Sequence, residues 1–246
     1  MKLLFTSDLH GQDSAYLEFA AALKQGDYTL GAIGGDLMTY PSKPEIERAS
    51  IELQKTEGIH PVRTGRPPLV VIEHALLAKQ KYFKGVLKES GKPIVFLMGN
   101  DDGILGKGAE WTGEKDILNV NQRRIDCGKY NIVCYQYTGP FVGGAFEKSE
   151  KKQVEDFMEL EKLMDENTIL ITHGPARGIL DAVDENEHLG SRALRALVEK
   201  KSPRLHLFGH VHSNFGVGNR AVNASYPHSQ KFVSIDVDSL EIRIVS

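Results

Sequence analysis

The stretch "FLMGNDDG" (residues 96–103) shows how this chain is organised. An apolar run stops at Gly99, and an amide and two carboxylates follow at once, those of Asn100, Asp101 and Asp102. A short apolar run bounded by glycine is typical of a strand that is buried on both faces. In α/β sheets, ligands bind beyond the carboxyl ends of the strands, because the loops converge there. The stretch therefore predicts a buried strand that delivers polar side chains to a site.

Four more apolar runs have this form and are bounded by glycine, proline or polar residues. Such boundaries are typical of central strands in a sheet covered by helices. Together with the run that precedes Asn100, the predicted strands are Leu3–Thr6, Tyr28–Ile33, Ile94–Met98, Thr168–Thr172 and Leu205–Phe208.

Helical patterns lie between these strands. In "SAYLEFAAALKQG" (14–26), Leu17, Ala20, Ala21 and Lys24 recur at helical spacing. Further helices are predicted at 44–55, 68–91, 151–167 and 191–201.

Strands that alternate with helices predict an α/β fold with parallel pairing in its first half. The stretches 117–142 and 214–246 are rich in β-branched and aromatic residues with turns between them, and they predict largely antiparallel strands. The sequence contains no repeat or linker. We therefore expect one domain over 1–246, with an inserted loop and helix region at about 38–68.

Bulk composition excludes several classes of protein. Hydrophobic residues make up 41% of the chain and charged residues 26%, as in ordinary soluble globular proteins. The net charge of −3 argues against general nucleic-acid binding. Cys127 and Cys134 have no second pair, so neither a disulfide framework nor a zinc knuckle is predicted. The apolar run at the N-terminus is too short for a signal sequence, and no stretch is long enough to cross a bilayer, so we expect a cytoplasmic protein.

Each predicted strand delivers a nitrogen or oxygen donor just past its carboxyl end. The donors are Asp8 and His10, Asp36, Asn100, His173, and His210 and His212. Residues two apart on an extended chain share a face, which applies to the first and last pairs. Burying these groups without partners would cost several kcal/mol apiece, and divalent cations would supply the partners.

The number and chemistry of the donors indicate the kind of metal centre. Seven donors exceed what one catalytic ion uses, since such an ion keeps a coordination position open, and they suit two ions that share a carboxylate. Imidazole, carboxylate and amide without sulfur are compatible with Mn, Fe, Zn, Co or Ni, and the sequence does not choose among them.

Five motifs in this order resemble those of the calcineurin-like metallophosphoesterases. They are "DLHG" (8–11), "GGD" (34–36), "GND" (99–101), "THGP" (172–175) and "GHVH" (209–212). The run "HGPARGILD…HLGSRAL…LHLFGHVH" further resembles an uncharacterised microbial branch of that superfamily. The resemblance implies a four-layer α-β-β-α sandwich, in which two mixed β-sheets are flanked by helices, and it implies hydrolysis of phosphate esters.

The resemblance also assigns roles to the donors. It implies that Asp36 bridges two ions. It places one ion on Asp8, His10 and His212, and the other on Asn100, His173 and His210. A hydroxide held between the two ions would attack phosphorus while the ions clamp the phosphoryl oxygens. We expect Asp36, Asp101 and His210 to take part in catalysis.

Asp101 departs from the pattern of the resemblance, because many members carry a histidine there that is thought to protonate the leaving alkoxide. A carboxylate beside two dications stays ionised and is a poor proton donor. The hypothesis is that Asp101 orients water or a supporting group, so that phosphodiesters and other esters with acidic leaving groups are preferred. The alternatives are a phosphomonoesterase, acting as a nucleotidase or protein phosphatase, and a non-catalytic scaffold.

Other polar residues are predicted to have lesser roles. Arg177 and His188 are candidate substrate contacts, although His188 is equally compatible with helix capping. Asp102 is expected either to support a ligand or to cap a turn. The remaining residues are interpreted as sheet, core or surface positions, and these are His60, His74, His206, His228, Arg63 and Arg66. The natural substrate and the oligomeric state stay open.

Overall fold

Two β-sheets lie face to face between outer layers of helices in the computed structural model of the chain. The structure describes residues 1–58, 66–104, 111–184 and 187–246. His60 and Arg63, which are predicted to be surface or core positions, lie outside the described residues.

The first sheet has six strands, drawn from both ends of the chain. In spatial order they are β12 (Glu241–Val245), β11 (Phe232–Asp236), β1 (Lys2–Thr6), β2 (Leu30–Ile33), β3 (Ile94–Phe96) and β4 (Ile117–Asn119). The strands from β1 to β4 pair in parallel. The pairs β1–β11 and β11–β12 are antiparallel, so the first strand of the chain lies against one of the last.

The second sheet also has six strands. In spatial order they are β5 (Arg124–Cys127), β6 (Tyr130–Tyr135), β7 (Thr168–Thr172), β8 (Leu205–Phe208), β10 (Ala221–Asn223) and β9 (Gly216–Val217). The central strands β6, β7, β8 and β10 pair in parallel, and β5 and β9 close the two edges in antiparallel fashion. Both sheets are therefore mixed.

The described residues contain seven α-helices. They are α1 (Asp13–Gln25), α2 (Lys43–Glu57), α3 (Leu69–Lys88), α4 (Asn100–Ile104), α5 (Glu150–Leu160), α6 (Arg192–Lys201) and α7 (Tyr226–Ser229). None of these helices is long and apolar enough to cross a membrane.

The strands are apolar throughout because both of their faces are buried. In β1, Leu3 and Phe5 join the core between the two sheets, whereas Leu4 joins the core under the helices of the first sheet. In β7, Ile169 and Leu170 divide in the same way between the inter-sheet core and the core under α5 and α6. Three cores separate four layers, which confirms the α-β-β-α sandwich.

The helix at 14–26 forms as predicted, but its buried face differs from the one that the spacing marked. Leu17 is 47% exposed, and Ala21 and Lys24 are exposed as well. The buried face instead carries Tyr16 and Phe19 with smaller neighbours. Aromatic side chains bury far more area than alanine, so they decide which face of the helix turns inward.

The prediction of largely antiparallel strands in 117–142 and 214–246 is only partly right. The β5–β6 hairpin and the β11–β12 pair are antiparallel. However, β4 pairs in parallel with β3, β6 with β7, and β10 with β8. The composition of a strand shows that it fits a pleated, buried surface, but it does not show which neighbour the strand takes.

The region at about 38–68 contributes α2, which begins with a capping box formed by Ser42 and Glu45. Ala49 and Leu53 of α2 pack on α3 in a small separate cluster. Arg66, at the end of this region, is exposed.

Candidate metal centre

The loops that follow β1, β2, β7 and β8 meet at one rim of the sandwich. The backbone N–H of Asp8 donates to the carbonyl of Gly35 at 2.9 Å, and that of His10 donates to Asp36 at 2.9 Å. In the other sheet, the N–H of Gly209 donates to the carbonyl of His173 at 3.0 Å. These bonds bring the loops together where parallel strands end.

A first group of donors lies at this rim. Asp8, His10, Asp36 and His212 each offer one ligand atom, and these atoms all lie within 4.8 Å of one another. Nε2 of His212 is 3.2 Å from Nε2 of His10 and 3.3 Å from Oδ1 of Asp8. Nε2 of His10 is 3.8 Å from Oδ2 of Asp36. Imidazole and carboxylate at these separations suit a divalent cation.

A second group lies on the other side of Asp36. Nε2 of His173 is 3.4 Å from Oδ2 of Asp36 and 2.9 Å from Oδ1 of Asn100. The ring of His210 lies 5.1 Å from the ring of His173. Nδ1 of His173 donates to the carbonyl of Gly34 at 2.9 Å, which leaves Nε2 free to act as a ligand. Oδ2 of Asp36 therefore lies within 4 Å of imidazole nitrogens from both groups.

Four of the seven candidate ligands have a backbone conformation that side chains seldom adopt. Their φ angles are 60° for Asp8, 43° for His10, 48° for Asp36 and 68° for His210. Non-glycine residues with positive φ cluster at functional sites, where the surrounding structure holds them in place. The neighbouring Gly99 is equally constrained, because a Cβ there would overlap Asp36 and lie 2.6 Å from Cε1 of His173.

Two buried carboxylates at the rim, those of Asp8 and Asp36, have pKa values below their ordinary range. Burial alone would raise the pKa of Asp8, but its hydrogen bond to His212 and the charge of His173 hold that pKa below its ordinary value. Burial also opposes ionisation of Asp36, and the charge of His173 again lowers the pKa. Asp8 further accepts from the N–H of His210 at 3.0 Å and from Oγ of Ser225 at 2.9 Å.

The histidines of the second group differ in charge. Burial opposes protonation of His173, but the charge of Asp36 and a hydrogen bond to it raise the pKa of His173 to about 10. Burial, with the charge of His173, lowers the pKa of His210 to about 4. A protonated imidazole thus offsets the charge of a carboxylate that is 2% exposed. A bound cation would replace that proton, so the residues present fit a divalent metal.

Asp101 lies beside the donors and contacts three of them. Its Oδ1 accepts from Nδ2 of Asn100 at 2.8 Å, and its Oδ2 is 3.5 Å from Nδ1 of His10. Its backbone N–H donates to Oδ1 of Asp36 at 2.9 Å. Burial and then the charge of Asp36 raise the pKa of Asp101. A divalent cation at Asp36 would act in the opposite direction.

Asp102 joins the loop after β2 to the loop after β3. Its buried carboxylate accepts from the N–H of Gly99 at 2.8 Å, of Met38 at 2.9 Å and of Leu37 at 3.1 Å. Burial, followed by the charge of Asp36, raises the pKa of Asp102 to about 7, against the effect of these bonds. Of the two roles that the sequence left open, the contacts favour support of the ligand loops.

Arg177 and His188 lie in a turn beside the centre. Nη1 of Arg177 donates to the carbonyl of His188 at 3.1 Å. Nδ1 of His188 is 2.8 Å from Oδ1 of Asp181. Neither side chain lines the cavity over the metal donors. Direct contact of these two residues with a substrate therefore stays a prediction, and the observed bonds support the turn itself.

A cavity of about 300 Å³ opens over the donors. Besides metal-site residues, its lining includes Phe141, Val183, Leu189 and His228. The motifs do not identify this set. His228 is predicted to be a surface or core position, but its ring lies 5.8 Å from that of His212. The available signal was Phe141 and its valine neighbour inside the turn "GPFVGG" (139–144), where an apolar pair between glycines has no core to enter.

Two other histidines lie away from the centre, as expected. His206 is buried in β8, where Nε2 bonds Oγ1 of Thr172 at 2.8 Å. His74 pairs with Glu52 at 3.1 Å.

A short stretch of the chain is similar to a known protein. Over 51 residues the chain is 47% identical to Metallophosphoesterase domain-containing protein 1 of Homo sapiens, a stretch that covers 20% of this chain and 16% of that protein. The match thus spans less than a fifth of that relative's length.

Solved structures share the fold along almost the whole chain. A novel archaeal phosphodiesterase superposes with a TM-score of 0.50 at 12% identity, covering 100% of this chain and 99% of that one. A dimetal phosphatase from Danio rerio gives a TM-score of 0.54 at 7% identity, covering 95% and 91%. At such identities the likeness concerns the fold alone.

The resemblance found in the motifs is confirmed at the level of the family. The sequence model of the calcineurin-like phosphoesterases matches residues 1–214, which is most of the chain and includes all seven candidate ligands. The chain belongs to the calcineurin-like phosphoesterase family.

Proposed function

We propose that this chain hydrolyses phosphate esters, phosphodiesters in preference, with two divalent cations held at the rim. The observation that supports this most is the position of Asp36, whose Oδ2 lies 3.8 Å from Nε2 of His10 and 3.4 Å from Nε2 of His173. Two cations bound there would offset charge on the phosphoryl oxygens and make a water more acidic.

The chain's own part is to hold the ligands in place before a substrate arrives. His173 is oriented by its bond to the carbonyl of Gly34, and Asp8 by the hydroxyl of Ser225. Asp102 fixes the two loops that carry Asp36 and Asn100. Groups held in this way need little reorganisation during the reaction. All seven ligand positions are filled, which argues against a non-catalytic scaffold.

The preference for diesters rests on Asp101. Its carboxylate faces Asn100 and His10, so it is placed to orient these two ligands. As a carboxylate, Asp101 cannot protonate a departing alkoxide in the way that an imidazolium at this position would. A reaction without such an acid favours leaving groups that are stable as anions. The alternative is a phosphomonoesterase, acting as a nucleotidase or protein phosphatase. Relatives in fold include both a phosphodiesterase and a dimetal phosphatase.

Paired aryl esters test the function. Protein stripped with chelator would be reloaded with Mn²⁺, Fe²⁺, Zn²⁺, Co²⁺ or Ni²⁺ and assayed on bis(p-nitrophenyl) phosphate and p-nitrophenyl phosphate. We expect kcat/KM for the diester to exceed that for the monoester by about tenfold or more, because the dianionic monoester would bring a second negative charge next to the Asp101 carboxylate, which lines the cavity. A larger kcat/KM for the monoester would favour the alternative, and no turnover with any metal would refute both.

Asp101 variants test the orienting role. We expect Asp101→Ala to keep measurable diester turnover with weaker metal binding. We expect Asp101→His to gain turnover of an alkyl phosphomonoester of about 10²-fold, because the new imidazole can protonate an alkoxide leaving group. If Asp101→Ala alone abolished turnover of the activated ester at unchanged metal occupancy, the orienting role would be wrong.

A further inference from the structure

An aromatic side chain stands beside the metal donors without a core to pack in. Phe141 is 59% exposed, and its ring lies 5.4 Å from that of His210 at an angle of 79°. Val183, which is 46% exposed, and Leu189 line the same cavity of about 300 Å³. We call these three side chains the apolar wall. Exposed apolar side chains that lie together at a cavity, unlike ones scattered singly, mark a surface that binds something.

The turn that presents Phe141 is firmly held. The carboxylate of Glu147 accepts from three successive backbone N–H groups, those of Phe141 at 2.7 Å, Val142 at 2.8 Å and Gly143 at 3.0 Å. The base of the turn is closed by the N–H of Thr138, which donates to the carbonyl of Phe146 at 3.1 Å. A side chain on a turn fixed in this way forms a preorganised surface.

The polar and apolar parts of the cavity lining would accept different parts of a substrate. Its polar lining comes from the metal donors, their neighbour Asp101, and Ser213 and His228. Among the described residues, no lysine or arginine lines the cavity. A second anionic group on the substrate would thus meet hydrocarbon and a carboxylate, whereas a hydrocarbon group would bury area against the apolar wall.

We propose that the apolar wall binds an uncharged, apolar substituent of the phosphate ester, such as an aryl or branched alkyl group, while the phosphoryl group faces the metal donors. This inference rests on the proposed function and adds a substrate class to it. It makes Phe141 a specificity-determining residue, and it makes Glu147 a positioning residue that acts through the turn.

Two diesters that share a leaving group test the proposal. Phenyl p-nitrophenyl phosphate and methyl p-nitrophenyl phosphate both release p-nitrophenolate and differ only in the substituent that stays. We expect Phe141→Ala to lower kcat/KM for the phenyl ester about tenfold and to change that for the methyl ester by less than about twofold. The intrinsic reactivity of each ester is the same for every variant. A change in the ratio of the two kcat/KM values therefore measures the contribution of the apolar wall.

Val142→Ala is the matched control. Val142 is 48% exposed on the same turn and its N–H is held by the same carboxylate, but its side chain does not line the cavity. We expect Val142→Ala to keep the wild-type ratio of kcat/KM for the phenyl ester to that for the methyl ester. We expect Phe141→Leu to keep most of the preference for the phenyl ester that Phe141→Ala loses. Equal losses on both esters in Phe141→Ala, or the same change of ratio in Val142→Ala, would overturn the proposal.

A binding measurement separates failure of this inference from failure of the proposed function. Calorimetric titration of the metal-loaded protein with phenylphosphonate and methylphosphonate needs no turnover. We expect the phenyl compound to bind about tenfold tighter in the wild type and to lose that advantage in Phe141→Ala. If both esters are hydrolysed but the two phosphonates bind equally, the apolar wall has no role while the function stands. If neither ester is hydrolysed with any metal, the proposed function falls, and this inference with it.

Discussion

Asp102 connects two ligand-bearing loops through three backbone hydrogen bonds. Asp102→Ala would leave those N–H groups without an acceptor, and each buried unsatisfied donor costs about 1–3 kcal/mol. We expect a loss of roughly 3 kcal/mol or more in the free energy of unfolding, and metal binding weakened about 10–100-fold. Urea unfolding with chelator and calorimetric metal titration measure the two effects.

Asp102→Asn provides the control for this prediction. The amide keeps one oxygen in place and cannot satisfy all three N–H groups, so the losses should be smaller than those of the alanine variant. Wild-type stability and metal affinity in Asp102→Ala would show that the loops hold their positions without this carboxylate.

His206 is a buried neutral imidazole. The hydroxyl of Thr172 donates to the carbonyl of Gly174 at 2.6 Å, so it accepts from Nε2 of His206 at 2.8 Å. Nδ1 has no hydrogen-bond partner among the described residues. Burial lowers the pKa of His206 from 6.5 to about 3. Protonation at Nδ1 would place an unpaired charge in the interior.

This burial makes stability depend on pH. Below pH 6.5 His206 becomes protonated in the unfolded chain but stays neutral in the folded chain. The contribution of His206 to the free energy of unfolding is therefore fully present above that pH and is lost as the pH falls toward 3. The free energy of unfolding decreases by about 1.4 kcal/mol per pH unit in this range. His206→Gln cannot titrate and should show a shallower decline between pH 6.5 and 4.5, measured by urea unfolding with chelator. Parallel curves for the two proteins would contradict the assignment.

The sequence predicts which donors lie close together, because each of them follows an apolar run at the end of a strand. They did not reveal the groups that hold the donors. Ser225, whose hydroxyl bonds Asp8, lies 217 residues from it in the sequence, and no local pattern marks such a contact. The turn "GPFVGG" (139–144) marks Phe141 as exposed, but it does not show that the side chain lies at the rim, because the rim is assembled from distant parts of the chain.

At the scale of elements, the loops after the strands can approach one another only because glycines flank the ligands. Gly99→Ala would force a Cβ against Asp36 and to 2.6 Å from Cε1 of His173. We expect this variant to fold less stably and to lose most of its metal binding, as measured by calorimetric titration.

Gly85→Ala is the matched control for this prediction. Gly85 lies in α3, and a Cβ there meets nothing within 4 Å. Because alanine favours helix by about 1 kcal/mol over glycine, this variant should be as stable as the wild type or more so, with unchanged metal binding. Equal metal affinity in Gly99→Ala and Gly85→Ala would contradict the close approach of the loops.

The elements themselves were largely predictable, whereas some of their partners were not. The strands Thr168–Thr172 and Leu205–Phe208 have the predicted bounds, because runs buried on both faces are apolar throughout. Pairing direction depends on the connections between strands. The crossover through α5 lets β6 and β7 pair in parallel, and composition does not record that connection.

At the scale of the whole molecule, strands from both chain ends share the first sheet, where β1 pairs with β11. We propose that residues 1–246 form one domain, and we expect a single unfolding transition in chelator. Fluorescence of Trp111, the one tryptophan of the sequence, and far-ultraviolet circular dichroism should give coincident curves. Separate midpoints would indicate two units. A cytoplasmic location and the absence of general nucleic-acid binding stay predictions.

The central claim is that one carboxylate joins two cations, and the metal content of the wild type and of Asp36→Asn tests it most directly. The amide keeps the shape of the side chain and the oxygen that accepts the N–H of Asp101. With Mn²⁺ reloaded after chelation, elemental analysis should find two ions per wild-type chain and at most one in the variant, with diester turnover lower by about 10²–10³-fold. Two ions and undiminished turnover in Asp36→Asn would contradict the account.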